Sequence, residues 1–145
     1  MSDIRPVNQL LNKYAESHQN PVNEWIHFIC VPAIMWTVLG LIWAIHPVLS
    51  LVSALLALGY YLYLSISFAV GMGVLAAAML GILYLLPPAV VLPSAAGVFI
   101  VAWIFQFIGH KIEGKKPSFF DDVRFLLIGP LFVLGFLYRR LHIAY

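Results

Sequence analysis

From Ile26 to His110 the chain carries no Asp, Glu, Lys or Arg, and apolar side chains dominate throughout. A helix needs about 20 apolar residues to cross about 30 Å of hydrocarbon. Prolines and glycines divide the stretch into four such lengths: Ile26–His46, Val48–Phe68, Val70–Leu86 and Ala89–Gly109. Pro47 and the Pro87–Pro88 pair mark turns, while Gly71, Gly73 and Gly81 leave the third segment's edge soft, since membrane helices tolerate Gly. Ahead of the first segment, Ile4, Val7, Leu10, Leu11 and Tyr14 recur at helical spacing, which predicts a one-faced helix suited to a membrane surface. Asn20 and Pro21 offer a cap and a first-turn proline for the helix that follows. A fifth apolar run, Phe125–Tyr138, is too short to span and has Pro130 in its middle. It is expected to be re-entrant or interfacial.

Composition agrees with the pattern. Only 10% of residues are charged, against about 25% in soluble domains, and the mean hydropathy is +0.96. A water-facing surface cannot be covered with so few charges, so a soluble fold is excluded. The expected class is all-α: an integral membrane bundle of four transmembrane helices, an N-terminal surface helix and the short C-terminal segment. Residues 1–145 read as a single membrane domain. Within it, 1–25 are cytoplasmic or interfacial, 26–109 form the four spans, and 110–145 hold a cytoplasmic loop, the apolar segment and a tail. The first 25 residues lack the apolar core of a cleavable signal, so the first span is expected to insert the chain itself.

The charges fix the expected topology. All six acids and all eight Lys and Arg lie at or before Glu24 or at or after Lys111. With four crossings and a fifth run that does not cross, every cation faces one compartment. The positive-inside rule makes that compartment the cytoplasm. The expected host is a bacterial inner membrane in preference to the endoplasmic reticulum. A net charge of +2 is too small for a nucleic-acid footprint. The lone Cys30 excludes an intramolecular disulfide and a Cys-based zinc motif.

An even number of crossings has a chemical consequence. It returns His110, at the end of the fourth span, to the rim where His18 and His27 begin the first. Glu113 follows His110 by three residues. Asn23 and His27 share one helix face, as do Gln106, His110 and Glu113. Polar side chains at such depths usually point into the bundle. Imidazole and carboxylate donors with open positions suit Fe(II), and Zn(II) accepts the same donors. On this reading Asn23 and Gln106 hold the outward ring nitrogens. The alternative is that these groups are interhelical hydrogen-bonding glue. His46, on the opposite rim, and His142, in the tail, carry no expected role. The cations Lys111, Lys115, Lys116 and Arg124 mark the cytoplasmic rim and are available to an anionic headgroup or a fatty-acid carboxylate.

Two motifs resemble a known family. The run Tyr14-Ala15-Glu16-Ser17-His18-Gln19-Asn20-Pro21-Val22-Asn23-Glu24-Trp25-Ile26-His27 is similar to the N-terminal motif of the Mpo-like family. The second motif is Gln106-Phe107-Ile108-Gly109-His110-Lys111-Ile112-Glu113-Gly114-Lys115-Lys116-Pro117-Ser118, followed by Leu127-Ile128-Gly129-Pro130. Members are membrane-bound 2-hydroxy fatty acid dioxygenases. The resemblance implies an Fe(II)-dependent oxidation with O2 that removes one carbon from a 2-hydroxy fatty acid. His18, His27 and His110 are then the catalytic metal ligands and Glu113 a candidate fourth. Lys116 or Arg124 is a candidate to steer the substrate carboxylate. A zinc-dependent intramembrane lipid hydrolase and a non-enzymatic scaffold are the alternatives. A di-iron site would need more ligands than five histidines and a few acids supply. Ion-coupled transport usually places an ionisable residue near mid-membrane, and Asp, Glu, Lys and Arg are absent from the spans.

Overall fold

The computed structural model describes residues 5–145, so Ile4, the first member of the predicted stripe, lies outside the described residues. Among these there are six helices: α1 (Pro6–Ala15), α2 (Pro21–Ile45), α3 (Pro47–Leu64), α4 (Ile66–Leu85), α5 (Pro88–Glu113) and α6 (Phe125–Arg140), with a single 3-10 turn at Ser118–Phe120. No strand occurs among the described residues. The helices α2, α3, α4 and α5 are each long and apolar enough to cross a membrane.

Local chemistry explains the boundaries. Proline opens α1, α2, α3 and α5, where its missing N–H would have been unpaired anyway. The Asn20 side chain caps α2 by accepting from the Val22 N–H at 2.9 Å. His46 caps α3 through the Val48 N–H at 3.2 Å. Gly114, at φ 75°, ends α5 in the left-handed conformation that glycine adopts without penalty.

The predicted span edges shift in three places. The first helix begins at Pro21, five positions before Ile26, because Asn20 and Pro21 start it. The break between the second and third spans falls at Ser65, which is extended and caps α4, not at Ala69. The third span is therefore a full 20 residues, with Gly71, Gly73 and Gly81 inside it. The fourth runs on past Gly109 to Glu113, which carries His110 and Glu113 on the same helix as Gln106.

The helix α2 is the centre of the bundle, packing on α5, α3, α4 and α6. Its pairing with α5 is the most extensive. Small residues let the backbones approach, as expected where lipid supplies no hydrophobic drive: a Cβ on Gly40 would lie 3.0 Å from the Ala95 Cβ. Ser50 donates to the Leu39 carbonyl at 2.8 Å and ties α3 to α2. One apolar cluster near the charged end joins α1, α4 and α6 through Val7, Leu11, Tyr14, Phe68, Ile128 and Leu131. A second, at the far end, joins Leu39, Ala54, Met79, Leu83 and Val91. Outward faces carry exposed Leu56, Val70 and Leu85, the surface a lipid solvent demands.

The apolar stripe of α1 is covered by α6 rather than laid bare to the membrane surface. The segment Phe125–Tyr138 forms one continuous helix through Pro130, extended to Arg140, with no reversal. It lies against α1, α2 and α4. Its Tyr138 hydroxyl donates to the Ser67 carbonyl at 2.6 Å and occupies the space where a Cβ on Gly71 would stand. Gly71→Ala is therefore expected to cost about 1–3 kcal/mol by overpacking, read as a lower thermal-unfolding midpoint in detergent. Gly97→Ala, with no neighbour within 4 Å, should show no such loss.

Candidate metal centre

The antiparallel pairing of α2 and α5 places the first turns of one beside the last turns of the other. His27 and His110 face each other across that seam with their Nε2 atoms 3.1 Å apart. His18 arrives from the turn between α1 and α2. Its ring stacks on Tyr14, one helical turn earlier, at 4.0 Å and 10°. It meets the other two imidazoles edge-on, with centroids 4.3 Å and 4.9 Å away. The three rings are mutually near-perpendicular, at 82°, 82° and 89°, so they converge like three faces of a corner. One nitrogen from each lies within 4.8 Å of the others, and all three side chains are buried.

Hydrogen bonds set the tautomers. His18 Nδ1 is 2.7 Å from the Tyr14 carbonyl and His27 Nδ1 is 2.8 Å from the Asn23 carbonyl. A carbonyl only accepts, so each Nδ1 bears the proton and each Nε2 presents a lone pair. Burial lowers the His18 pKa from its ordinary value to about 4, which keeps the ring neutral at physiological pH. His18 Nε2 is buried without a hydrogen-bond partner, a costly condition in a low-dielectric site. A divalent ion satisfies converging lone pairs of this kind. Two imidazole nitrogens at about 2.0–2.1 Å from one ion stand close to the separation observed between His27 and His110. The donor set fits a transition metal.

Glu113 is not brought to this cluster. Its carboxylate accepts from the backbone N–H groups of Gln19 (2.9 Å) and Asn20 (2.8 Å) and from Asn23 Nδ2 (3.2 Å). The acid therefore ties the end of α5 to the start of α2, where the N-terminal helix dipole favours an anion. Asn23 likewise holds His27 by its carbonyl and not by its side chain, which bridges Glu113 and the Ser17 carbonyl. Gly109 admits the Asn23 side chain, which fills the place a Cβ would take. Gln106 is buried one turn from His110 but bonds to no imidazole; its Oε1 has no partner. Lys116 and Arg124 also lie elsewhere. Lys116 pairs with Asp121 at 2.9 Å and Arg124 with Asp122 at 2.6 Å, both on the exposed side of the turn region, and neither lines the cavity beside the histidines.

A cavity opens beside the histidines. It has a volume of about 540 Å³ and starts at Tyr14, His18, His27 and His110. It continues along α2 past Val31, Met35, Val38 and Ile42, about 22 Å of helix at 1.5 Å per residue. Ala54, Ala57 and Tyr61 of α3, Met72 and Ala76 of α4, and Phe99 and Trp103 of α5 complete its walls. Tyr14 was legible as a stripe member and as the head of the first motif, and its spacing of four from His18 carries the stacking. A further bond, Ser17 Oγ to Ser118 Oγ at 2.6 Å, fastens the 3-10 turn beside the site.

Four spanning-length helices that gather three imidazoles at the head of an apolar chamber define a membrane-embedded candidate metalloprotein. The chain belongs to the Mpo1-like family: the family model described as 2-hydroxy-palmitic acid dioxygenase Mpo1-like matches residues 4–141. It is 31% identical over 136 residues to the 2-hydroxy-palmitic acid dioxygenase MPO1 of Saccharomyces cerevisiae, covering 86% of this chain and 75% of the yeast protein. No solved structure matches.

The two kinds of contact separate by metal analysis. Glu113→Gln is expected to retain one divalent ion per chain while its unfolding midpoint falls, since two charge-assisted bonds to backbone N–H groups are weakened. Ala at His18, His27 or His110 is expected to lose the ion. Loss of metal from the Glu113 variant would make that acid a ligand.

Proposed function

We propose that this protein is a membrane-bound Fe(II)-dependent dioxygenase that shortens 2-hydroxy fatty acids by one carbon. The observation that carries the reading is the convergence of His18, His27 and His110 at the head of a long apolar chamber. The family and the name of the yeast relative support the same chemistry. Iron held by the three imidazoles would supply the redox chemistry with O2. The overall change balances as one 2-hydroxy acid and one O2 giving the shortened acid, CO2 and water.

The chain's own residues do the rest. Carbonyls of Tyr14 and Asn23 orient two of the rings, and Tyr14 braces a third side of the site by stacking. Imidazole donors bring no negative charge, so the protein would leave the charge of a bound cation uncompensated, which favours an anionic carboxylate beside it. The acyl chain runs between α2, α3 and α5 along the Val31, Met35 and Val38 wall, where burial of each methylene contributes about 0.8 kcal/mol. The apolar walls disfavour water along the acyl chain. The basic end of the bundle faces the cytoplasm under the positive-inside rule, so the acid head lies near that rim. Three imidazoles also serve Zn(II) with an activated water; iron content together with O2 dependence distinguishes the two.

Protein purified anaerobically with iron is expected to convert 2-hydroxypalmitate to the acid one carbon shorter only when O2 is admitted. His27→Ala or His110→Ala should abolish that turnover. Undiminished product from either variant would refute the site. The chamber makes a separate demand. Ala57→Phe, a little over one turn below Tyr61 on the α3 wall, should sharply reduce turnover of long acyl chains while sparing short ones. A chain-length series of 2-hydroxy acids measures this directly.

A further inference from the structure

Beyond the histidines, two polar groups in the chamber wall have no hydrogen-bond partner. Gln106, 5% exposed, has a buried and unpaired Oε1, and Trp103 has a buried and unpaired Nε1. Both line the cavity headed by the histidines. With His110 they stand at spacings of three and four on α5, so one helix face presents a ring nitrogen, then an amide, then an indole N–H. The deeper lining beyond them is apolar apart from Ser53, whose hydroxyl already donates to the Leu49 carbonyl at 2.8 Å.

An unpaired amide oxygen and indole N–H in a membrane core are both costly. Their chemistry is complementary to a single group. The indole only donates and the amide oxygen only accepts. A carboxylate or ketone answers the first and a bare methylene neither. A hydroxyl answers both, giving its proton to Gln106 Oε1 and receiving the Trp103 N–H on its oxygen.

We infer that Gln106, with Trp103 beside it, is the residue that selects a hydroxylated acid over a plain one, by hydrogen-bonding the substrate hydroxyl just inside the chamber. This rests on the 2-hydroxy acid reading and deepens it. Sites built to bond a substrate hydroxyl discriminate against the analogue lacking it because their own polar groups are then left unpaired.

The test is competitive binding of 2-hydroxypalmitate and palmitate to the purified, metal-loaded protein in detergent. Wild type should prefer the hydroxy acid. Gln106→Leu should lose about tenfold of that preference, the scale of one hydrogen bond, with palmitate binding unchanged or tighter and metal content intact. Gln106→Asn keeps the amide but withdraws it by one methylene, and should also lose preference; it serves if the leucine variant does not fold. An unchanged preference in either folded variant overturns the inference and leaves the amide a site for water. Failure of the underlying reading looks different: wild type itself would then favour neither acid, which overturns both.

Discussion

Everything in this molecule depends on the seam between α2 and α5. Two helices at opposite ends of the charge-free stretch must run antiparallel and close enough for imidazoles to touch, in a solvent that offers no hydrophobic drive for their association. Small residues solve the distance problem: Gly40 meets Ala95 near the far end, and Gly109 makes room for Asn23 near the charged end. Polar bonds solve the register problem. The Glu113 carboxylate takes the N–H groups of Gln19 and Asn20 and so pins the end of α5 to the start of α2. A slip of one residue along this seam would rotate His110 by about 100° away from His27, given 3.6 residues per turn.

The third imidazole is delivered differently. His18 belongs to the turn after α1, and α1 is amphipathic. Its buried Val7, Leu11 and Tyr14 pack on α6, which in turn packs on α2 and α4. The C-terminal segment thus acts on the site at one remove: it holds the helix that aims the histidine. This accounts for a helix too short to span and yet rich in buried residues, from Ile128 to Phe132.

Much of this was legible in the sequence, and the reasons differ by residue. An absence of charge from Ile26 to His110 dictates spans, and their even number dictates that His18, His27 and His110 share a rim; both inferences need only hydropathy and parity. The Ser65 boundary was obscured because a lone serine in an apolar run is a weak break signal, and Gly71 and Gly73, which leave the edge soft, are helical positions in α4. Glu113 stands apart from the histidines for a geometric reason. Three residues after His110 is the spacing of a ligand on the same face, but nothing local tells that the N-terminus of α2 lies closer. The ion pairs of Lys116 with Asp121 and of Arg124 with Asp122 lie within a few residues of one another in the chain. Such neighbours engage the two cations locally, a competition left unweighed when the sequence offered them to a carboxylate.

The distribution of polarity with depth then constrains what the chamber can hold. The donors at its head carry no negative charge, and Asp, Glu, Lys and Arg are absent from its lining, so an ion has no compensating partner below the histidines. An occupant with a charged end must keep that end at the rim, beside the imidazoles, and direct its apolar part along Val31, Met35 and Val38. The same gradient that excludes charge from the bilayer core fixes the direction in which an amphipathic chain enters. Gln106 and Trp103 line the cavity one and two turns from His110, where the polar head gives way to the hydrocarbon wall. Orientation and recognition are thus two results of one constraint: polar groups in a membrane protein persist only where something answers them.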